Sequence, residues 1–332
     1  MSGQISLNRL HLRVPGILIS FTIGFAAIFL SEHYGAPGIL FALLLGMSLN
    51  FLAEDPKLAE GITFAAKQVL RIGVALLGFQ VAAEDLLHLG TSNLLFIAVC
   101  AIVTIVFGIG AARAFGLNGR FGLVSGGSVA ICGASAAVAI SSVLPQDKDN
   151  HADCALVVIG VTTLSTLVMI LYPILSSALQ LPDAAAGFFF GATIHDVAQV
   201  VGAGYSVSET SGEYAVLTKM IRILLLVPVV VIISYAYTRT ARSEGVRPGL
   251  VPGFLVAFVA FMLIGNVWTL PVEWLEGINR SSQYCLVAAI AAIGLKTELP
   301  RLFELGWKPV ALIVLETLFL AGACLVYLLF YR

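Results

Sequence analysis

Eleven apolar stretches fill this chain, at 14–31, 36–53, 63–83, 92–112, 121–143, 153–175, 184–204, 213–237, 251–270, 284–298 and 309–330. A helix that crosses a bilayer needs about 20 mostly apolar residues, and the connections between these runs are too short to hold a soluble domain. Composition agrees: 59% of the 332 residues are hydrophobic and only 11% charged, where a soluble domain carries about 25% charged. In water so much apolar surface would be exposed as sticky patches. In lipid the backbone must satisfy its own hydrogen bonds, so the runs are helices; the alternating pattern of a membrane barrel is absent. The expectation is one all-α transmembrane domain over 1–332.

Charge placement tests that count. With the N-terminus in the cytoplasm, the inner segments hold Arg9, Arg13, Lys57, Arg113, Arg120, Arg239, Arg242, Arg247, Arg301 and Lys308, and the outer ones Lys148, Arg280 and Arg332. Ten against three is a positive-inside bias, which predicts a multi-pass protein of a bacterial inner (plasma) membrane with a periplasmic C-terminus. Arg9 and Arg13 before the run 14–30 look like a signal peptide, but the length of the run and the spans behind it favour an uncleaved first helix. The net charge of −1 and the lack of a basic arm point away from nucleic acid. Cys100, Cys132, Cys154, Cys285 and Cys324 form no CxxC pair, so neither a disulfide framework nor a metal site is expected, and no cofactor. The partners are a small anionic substrate and the bilayer; a homodimer is compatible with the sequence.

An internal echo runs through the third and tenth runs. Leu77-Gly78-Phe79-Gln80 leads through Glu84-Asp85-Leu86 to Leu89-Gly90, and Ile293-Gly294-Leu295-Lys296 leads through Glu298 and Arg301-Leu302 to Leu305-Gly306. Seven helices apart means opposite orientation, as in an inverted-topology repeat, with halves about 14–180 and 184–330.

Three segments carry chemistry. In the fifth run, Ser125, Ser128, Cys132, Ser135 and Ser142 fall at helical spacing on one face, while Gly126, Gly127 and Gly133 invite a break. A broken helix presents free N–H groups suited to an anion; the bland alternative is a small-residue packing face. In the seventh run, His195, Gln199 and Gly202 share a face beside Asp196. Ionisable groups at membrane depth are costly and usually functional, and histidine titrates near neutrality, so His195 and Asp196 are the candidates for ion coupling. In the eighth run, Lys219 and Arg222 lie three residues apart and predict an electropositive pocket rather than snorkelling cations; removing Arg222 is expected to abolish anion binding and leave the fold intact. Lys67, Arg71, Asn266 and Glu316 are expected to be structural.

Together Ser128, Cys132, Gly133, Ser135, His195, Gln199, Lys219 and Arg222 form the expected substrate site. The sequences Ile131-Cys-Gly-Ala-Ser-Ala-Ala137, Gly191-Ala-Thr-Ile-His-Asp-Val-Ala-Gln-Val-Val-Gly-Ala-Gly204 and Lys219-Met-Ile-Arg-Ile-Leu-Leu-Leu-Val-Pro228, with Leu70–Phe79 and Ala291–Thr297, resemble the sulfate exporter family of YeiH-type conserved hypothetical bacterial inner-membrane proteins. The resemblance covers about residues 14–330. It implies two inverted repeats, crossed discontinuous helices and a core that moves against a scaffold. The fifth and seventh runs would then be the crossed pair, yet as the fifth and seventh of eleven spans they would run the same way, where inverted partners run oppositely.

The leading function is a secondary transporter of a small anion, a sulfur oxyanion or organosulfonate, working by alternating access with proton or Na⁺ coupling or as a uniporter. No G-x-x-x-x-G-K-[ST] occurs for an ATP-driven pump. An anion channel is the alternative. An intramembrane enzyme with Ser128 or Cys132 and His195 ranks third, since no G-x-S-x-G elbow occurs.

Overall fold

The computed structural model describes residues 2–34, 38–80, 83–145, 148–238, 253–268, 270–297 and 306–330. Arg239, Arg242, Arg247, Arg301 and Arg332, and the Glu298–Leu305 part of the echo, lie outside them. The described residues form helices α1 Ser2–Tyr34, α2 Gly38–Ser48, α3 Pro56–Phe64, α4 Leu70–Leu77, α5 Ala83–Ala114, α6 Gly119–Ala130, α7 Ala134–Ser142, α8 Lys148–Ala178, α9 Asp183–Thr193, α10 Val197–Val207, α11 Glu209–Leu224, α12 Leu226–Thr238, α13 Gly253–Val267, α14 Val272–Lys296 and α15 Trp307–Phe330. Every one of the eleven apolar runs contains helix. Among the described residues, five stretches are long and apolar enough to cross a membrane unaided: Arg13–Tyr34, Gly90–Ala114, Ala152–Ala178, Glu209–Tyr237 and Trp307–Phe330. Large apolar side chains such as Phe29, Val106, Ile174 and Phe330 are 62–84% exposed, which suits lipid as the solvent.

The helices group into two compact units. The first holds α1–α4, α13 and α14, and glycine lets its backbones approach. A Cβ added to Gly46 on α2 would stand 2.9 Å from Gly294 Cα on α14, and one on Gly61 of α3 would stand 2.7 Å from Gly16 Cα on α1. Small-residue contacts of this kind drive helix association where lipid removes the hydrophobic incentive. Between α3 and α4, Ala65–Val69 forms a π-helical turn. The glycines that close the two copies of the echo, Gly90 and Gly306, both adopt positive φ, 74° and 80°.

The second unit contains α6–α9, most of α10, α11, α12 and α15, with the apolar length of α5. Here the structure departs from eleven crossings. A Cβ on Gly127 of α6 would collide with the Ile140 side chain of α7; thirteen residues of straight helix would hold those positions about 20 Å apart. The fifth run is therefore a hairpin that turns at Ile131–Gly133, and α7 returns alongside α6. The seventh run behaves in the same way. Gly187 on α9 and Gly204 on α10 both face the backbone of Ser211 on α11, so α10 leads back to the end from which α9 started, and the turn is Ile194–Asp196. The helix break also removes the single serine-lined face expected over Ser125–Ser142.

α8 joins the two hairpins. Its first turns meet the foot of the first, where Ser141 Oγ donates to Asn150 Oδ1 at 2.9 Å. Farther along, Ser165 Oγ receives the Asp196 N–H at 3.1 Å, and Tyr172 packs on Phe189. The chain thus travels the length of α8, 31 residues or about 46 Å, before the second hairpin begins. The hairpins enter from opposite ends of α8, and the conflict over parallel direction disappears.

Gly46→Leu is expected to destabilise the first unit by about 1–3 kcal/mol through overpacking. Thermal melting of the purified protein in detergent checks this, and an unchanged midpoint would mean that α2 and α14 do not meet at this glycine.

Candidate functional site

Each hairpin carries a charge problem at its turn. A helix ending in mid-membrane leaves carbonyl oxygens without N–H partners and the equivalent of about −0.5 charge at its C-terminus. α6 ends at Ala130, where Ile131 takes φ −118°, ψ −83°, and α9 ends at Thr193 with Ile194 extended at φ −68°, ψ 140°. Leaving such groups bare in an apolar interior costs about 1–3 kcal/mol each.

α11 supplies the answer for both. Lys219 is fully buried, and its Nζ donates to Ile131 O at 2.8 Å and to Ile194 O at 2.7 Å. Arg222, 2% exposed, donates from Nε to Ala130 O at 3.0 Å, from Nη2 to Val129 O at 2.7 Å, and from Nη1 to Gly191 O at 2.9 Å and Ile194 O at 3.1 Å. The rigid fork of a guanidinium suits several acceptors at fixed angles. Two cations thereby hold the C-terminal ends of both inward helices together. The turns themselves touch: a Cβ on Gly133 would meet His195 at 3.5 Å. Gly133 has φ 63°, a conformation that strains an L side chain.

The expected site residues sort accordingly. Cys132, Gly133, His195, Lys219 and Arg222 converge at the turns. Ser128 lies a turn back inside α6, with its hydroxyl bonded to Val124 O of its own helix at 2.5 Å. Gln199 is buried on α10, its Nε2 3.4 Å from Thr166 Oγ1. Ser135, in the first turn of α7, is exposed, and Asp196 is half-buried. Asp196 stands just before α10, where its Oδ1 accepts the Val197 N–H at 3.0 Å and its carbonyl accepts the Val200 N–H at 3.1 Å. The electropositive pocket expected from Lys219 and Arg222 takes another form: both point into backbone oxygens, and the groups on the open side are Ser135 in the first turn of α7 and the half-buried Asp196 before α10.

Two helix C-termini and two N-termini contribute about −0.5 and +0.5 each and cancel. Lys219 and Arg222 remain against Asp196, a net of one positive charge.

α15 touches both hairpins. Thr317 Oγ1 gives its hydrogen to Ile313 O at 2.8 Å, so the 2.9 Å contact with His195 Nε2 requires the nitrogen to be the donor. Glu316, fully buried, accepts from Ser125 Oγ on α6 at 2.8 Å. Sequence reasoning noticed Glu316 only as a structural group and passed over Thr317, Ser165 and Thr166. For Glu316 the signal was available: an ionisable residue inside an apolar run.

With this geometry in hand, comparison places the chain among known proteins. Residues 15–313 match the family model described as Conserved hypothetical protein 698. The chain belongs to this family. Relatives include the UPF0324 membrane protein CT0845 of Chlorobaculum tepidum, 48% identical over 96% of this chain and 90% of that protein. UPF0324 membrane protein RB0971 of Rhizobium meliloti is 48% identical over 92% of this chain and 90% of its own. UPF0324 membrane protein TauZ of Paracoccus denitrificans is 45% identical over 92% of each. No solved structure matches. This is a multi-pass membrane protein related to bacterial membrane proteins.

Arg222→Met would strand carbonyls of both hairpins. The expected loss is several kcal/mol, at about 1–3 kcal/mol per unsatisfied group, and Arg222→Lys should recover part of it. This replaces the sequence-based expectation of an intact fold. Thermal unfolding of the two variants is the check; a wild-type midpoint in Arg222→Met would remove the clamp from the structure's stability.

Proposed function

We propose that this protein is a secondary transporter of a small anion, with the substrate resting on the first turn of α7 beside Ser135. The observation that carries this reading is the meeting of two oppositely inserted hairpins whose C-terminal ends are neutralised by Lys219 and Arg222. Their returning helices begin at the same place; the Asp196 carboxylate already takes the first N–H of α10, which leaves the exposed first turn of α7 as the helix N-terminus for an anion. A discontinuous helix at membrane depth is a recurrent way of building a substrate site between repeats. Ser135 adds a hydroxyl donor, and the net positive charge of the turns favours an anion over a cation.

A sulfur oxyanion or organosulfonate is the proposed substrate class. The acceptor-rich head of such a molecule matches backbone N–H and hydroxyl donors, and the name TauZ borne by relatives fits a sulfonate. Alternating access through movement of the hairpin turns, coupled to protons or Na⁺, is the proposed mode. Against an enzyme built on Ser128 stands the partnering of its groups: the Ser128 hydroxyl bonds Val124 O, and His195 Nε2, the nitrogen that would serve Ser128 or Cys132, bonds Thr317.

The hairpins also sharpen the proposed topology. Nine crossings and two re-entrant segments keep the N-terminus cytoplasmic and the C-terminus periplasmic. Lys148 then moves to the cytoplasmic side with the foot of the first hairpin, and the charge asymmetry strengthens to eleven residues inside against Arg280 and Arg332 outside. The matching positive-φ glycines at 90 and 306, on oppositely directed segments, support the inverted repeat.

The test is binding. A ligand that binds only the folded protein raises its melting temperature. Sulfite, sulfate, thiosulfate, taurine, isethionate, sulfoacetate and dicarboxylates would be screened, and stabilisation by a sulfur anion is expected. Ser135→Ala should weaken that binding by roughly tenfold, the worth of one hydrogen bond of about 1–1.5 kcal/mol. Ser135→Glu should abolish it. Stabilisation by cations alone, or equal affinity in Ser135→Glu, would reject the site.

A further inference from the structure

Glu316 lies in the middle of α15, and nothing in the transport site uses it. Its carboxyl is pressed between α5 and α6, where glycine makes the room. A Cβ on Gly108 would stand 2.5 Å from Glu316 Oε1, 2.7 Å from Gly122 O and 2.9 Å from Gly126 Cα. Ser125 Oγ donates to Oε1, while Oε2 is buried without a hydrogen-bond partner. No ion pair reaches Glu316 among the described residues. The buried titratable groups on the helices around it include Cys100 on α5, Tyr172 on α8, His195 at the second turn and Cys324 on α15 itself, with Tyr327 farther along α15; Arg113, Arg120, Asp149, Asp153 and Lys308 stand at or near the helix ends. His195 is engaged with Thr317 and Tyr327 with Asn93, and Lys219 and Arg222 donate to carbonyl oxygens.

Magnitudes separate the two charge states of such a group. A neutral acid here lacks one hydrogen bond, at Oε2, which a folded protein tolerates. An unpaired carboxylate costs several kcal/mol more, and a single serine donor does not offset that. The observed packing therefore holds the neutral acid. Loss of the proton would leave a charge against the backbones of Gly108, Gly122 and Gly126, relieved only if α6 moves to admit water or further donors. α6 is the inward arm of the first hairpin, and the next residue on α15, Thr317, holds His195 at the turn of the second.

We propose that Glu316 is the proton-binding site that couples transport, taking a proton from water in one arrangement of the hairpins and releasing it to water in the other. This rests on the transport reading above and moves coupling from His195 and Asp196, which have bonds of their own at the turns, to a carboxyl one residue from the Thr317 contact.

The test uses the full-length protein. Infrared difference spectra between acid and alkaline buffer should contain the carbonyl stretch of a protonated carboxyl that titrates, and Glu316→Gln should remove it. In proteoliposomes with an entrapped pH dye, taurine and sulfite gradients should drive proton movement in the wild type. In Glu316→Gln it should fall to the leak rate of empty vesicles, while exchange of labelled taurine or sulfite across the membrane persists. Asp196→Asn should keep proton movement. Ser125→Ala, which retains the acid and removes its donor, should displace the pH profile without abolishing flux. Wild-type proton movement in Glu316→Gln, or an unchanged infrared band, overturns the assignment to Glu316 and leaves transport standing. A wild type that moves none of the sulfur compounds or dicarboxylates screened above overturns the transport reading itself, and the coupling role with it, while the infrared band still reports the protonation of Glu316.

Discussion

Two helices that stop inside an apolar helix bundle can exist only if something takes up their terminal carbonyl oxygens. In this protein Lys219 and Arg222 do so for both at once, with six hydrogen bonds shared among Val129, Ala130, Ile131, Gly191 and Ile194. Burying two cations is expensive in itself, and burying two bare helix ends is expensive too; each expense is met by the other. The rest of the second unit follows from that exchange. α11 must lie against both hairpins, the turns must touch, and the helices that leave the turns start beside each other.

The same exchange explains the local sequence. Gly133 is needed where the first turn takes a positive φ, and small residues at Gly122, Gly126 and Gly127 let α6 lie close to α5 and to its own returning arm. Gly187, Gly191 and Gly204 do the equivalent for α9 and α10 against α11. A membrane protein gains little from sequestering apolar surface between helices, so close backbone approach carries more of the association, and the glycines concentrate where helices must nearly touch.

Much of this was legible in the residues. The apolar runs located the helices, and the ionisable residues His195, Asp196, Lys219 and Arg222 pointed to the region where the hairpins meet. What was not legible was the reversal of the chain. A run of some twenty apolar residues has the same composition whether it crosses the bilayer or enters and returns, and removing two crossings leaves every loop charge except Lys148 on its expected side. The partners of Lys219 and Arg222 were hidden for a related reason. They are backbone oxygens, which every residue has, so no side-chain pattern announces them, and a buried cation reads as a lure for substrate. Glu316 was visible as an oddity, but its meaning depends on the glycines of two other helices.

The distribution of these bonds along the chain also has a consequence in time. For the second hairpin, the capping donors follow 25–31 residues after the carbonyls they serve. For the first, they follow 88–93 residues later. At a synthesis rate of about 5–20 residues per second, the first hairpin waits roughly 4–20 seconds after its own emergence before α11 is made. During that interval its inner end has no cation, so its final insertion is a late event that belongs to the arrival of the eighth apolar run. The same two side chains serve both hairpins, so the hairpin made first and the hairpin made second receive their capping donors in a single step, when α11 arrives.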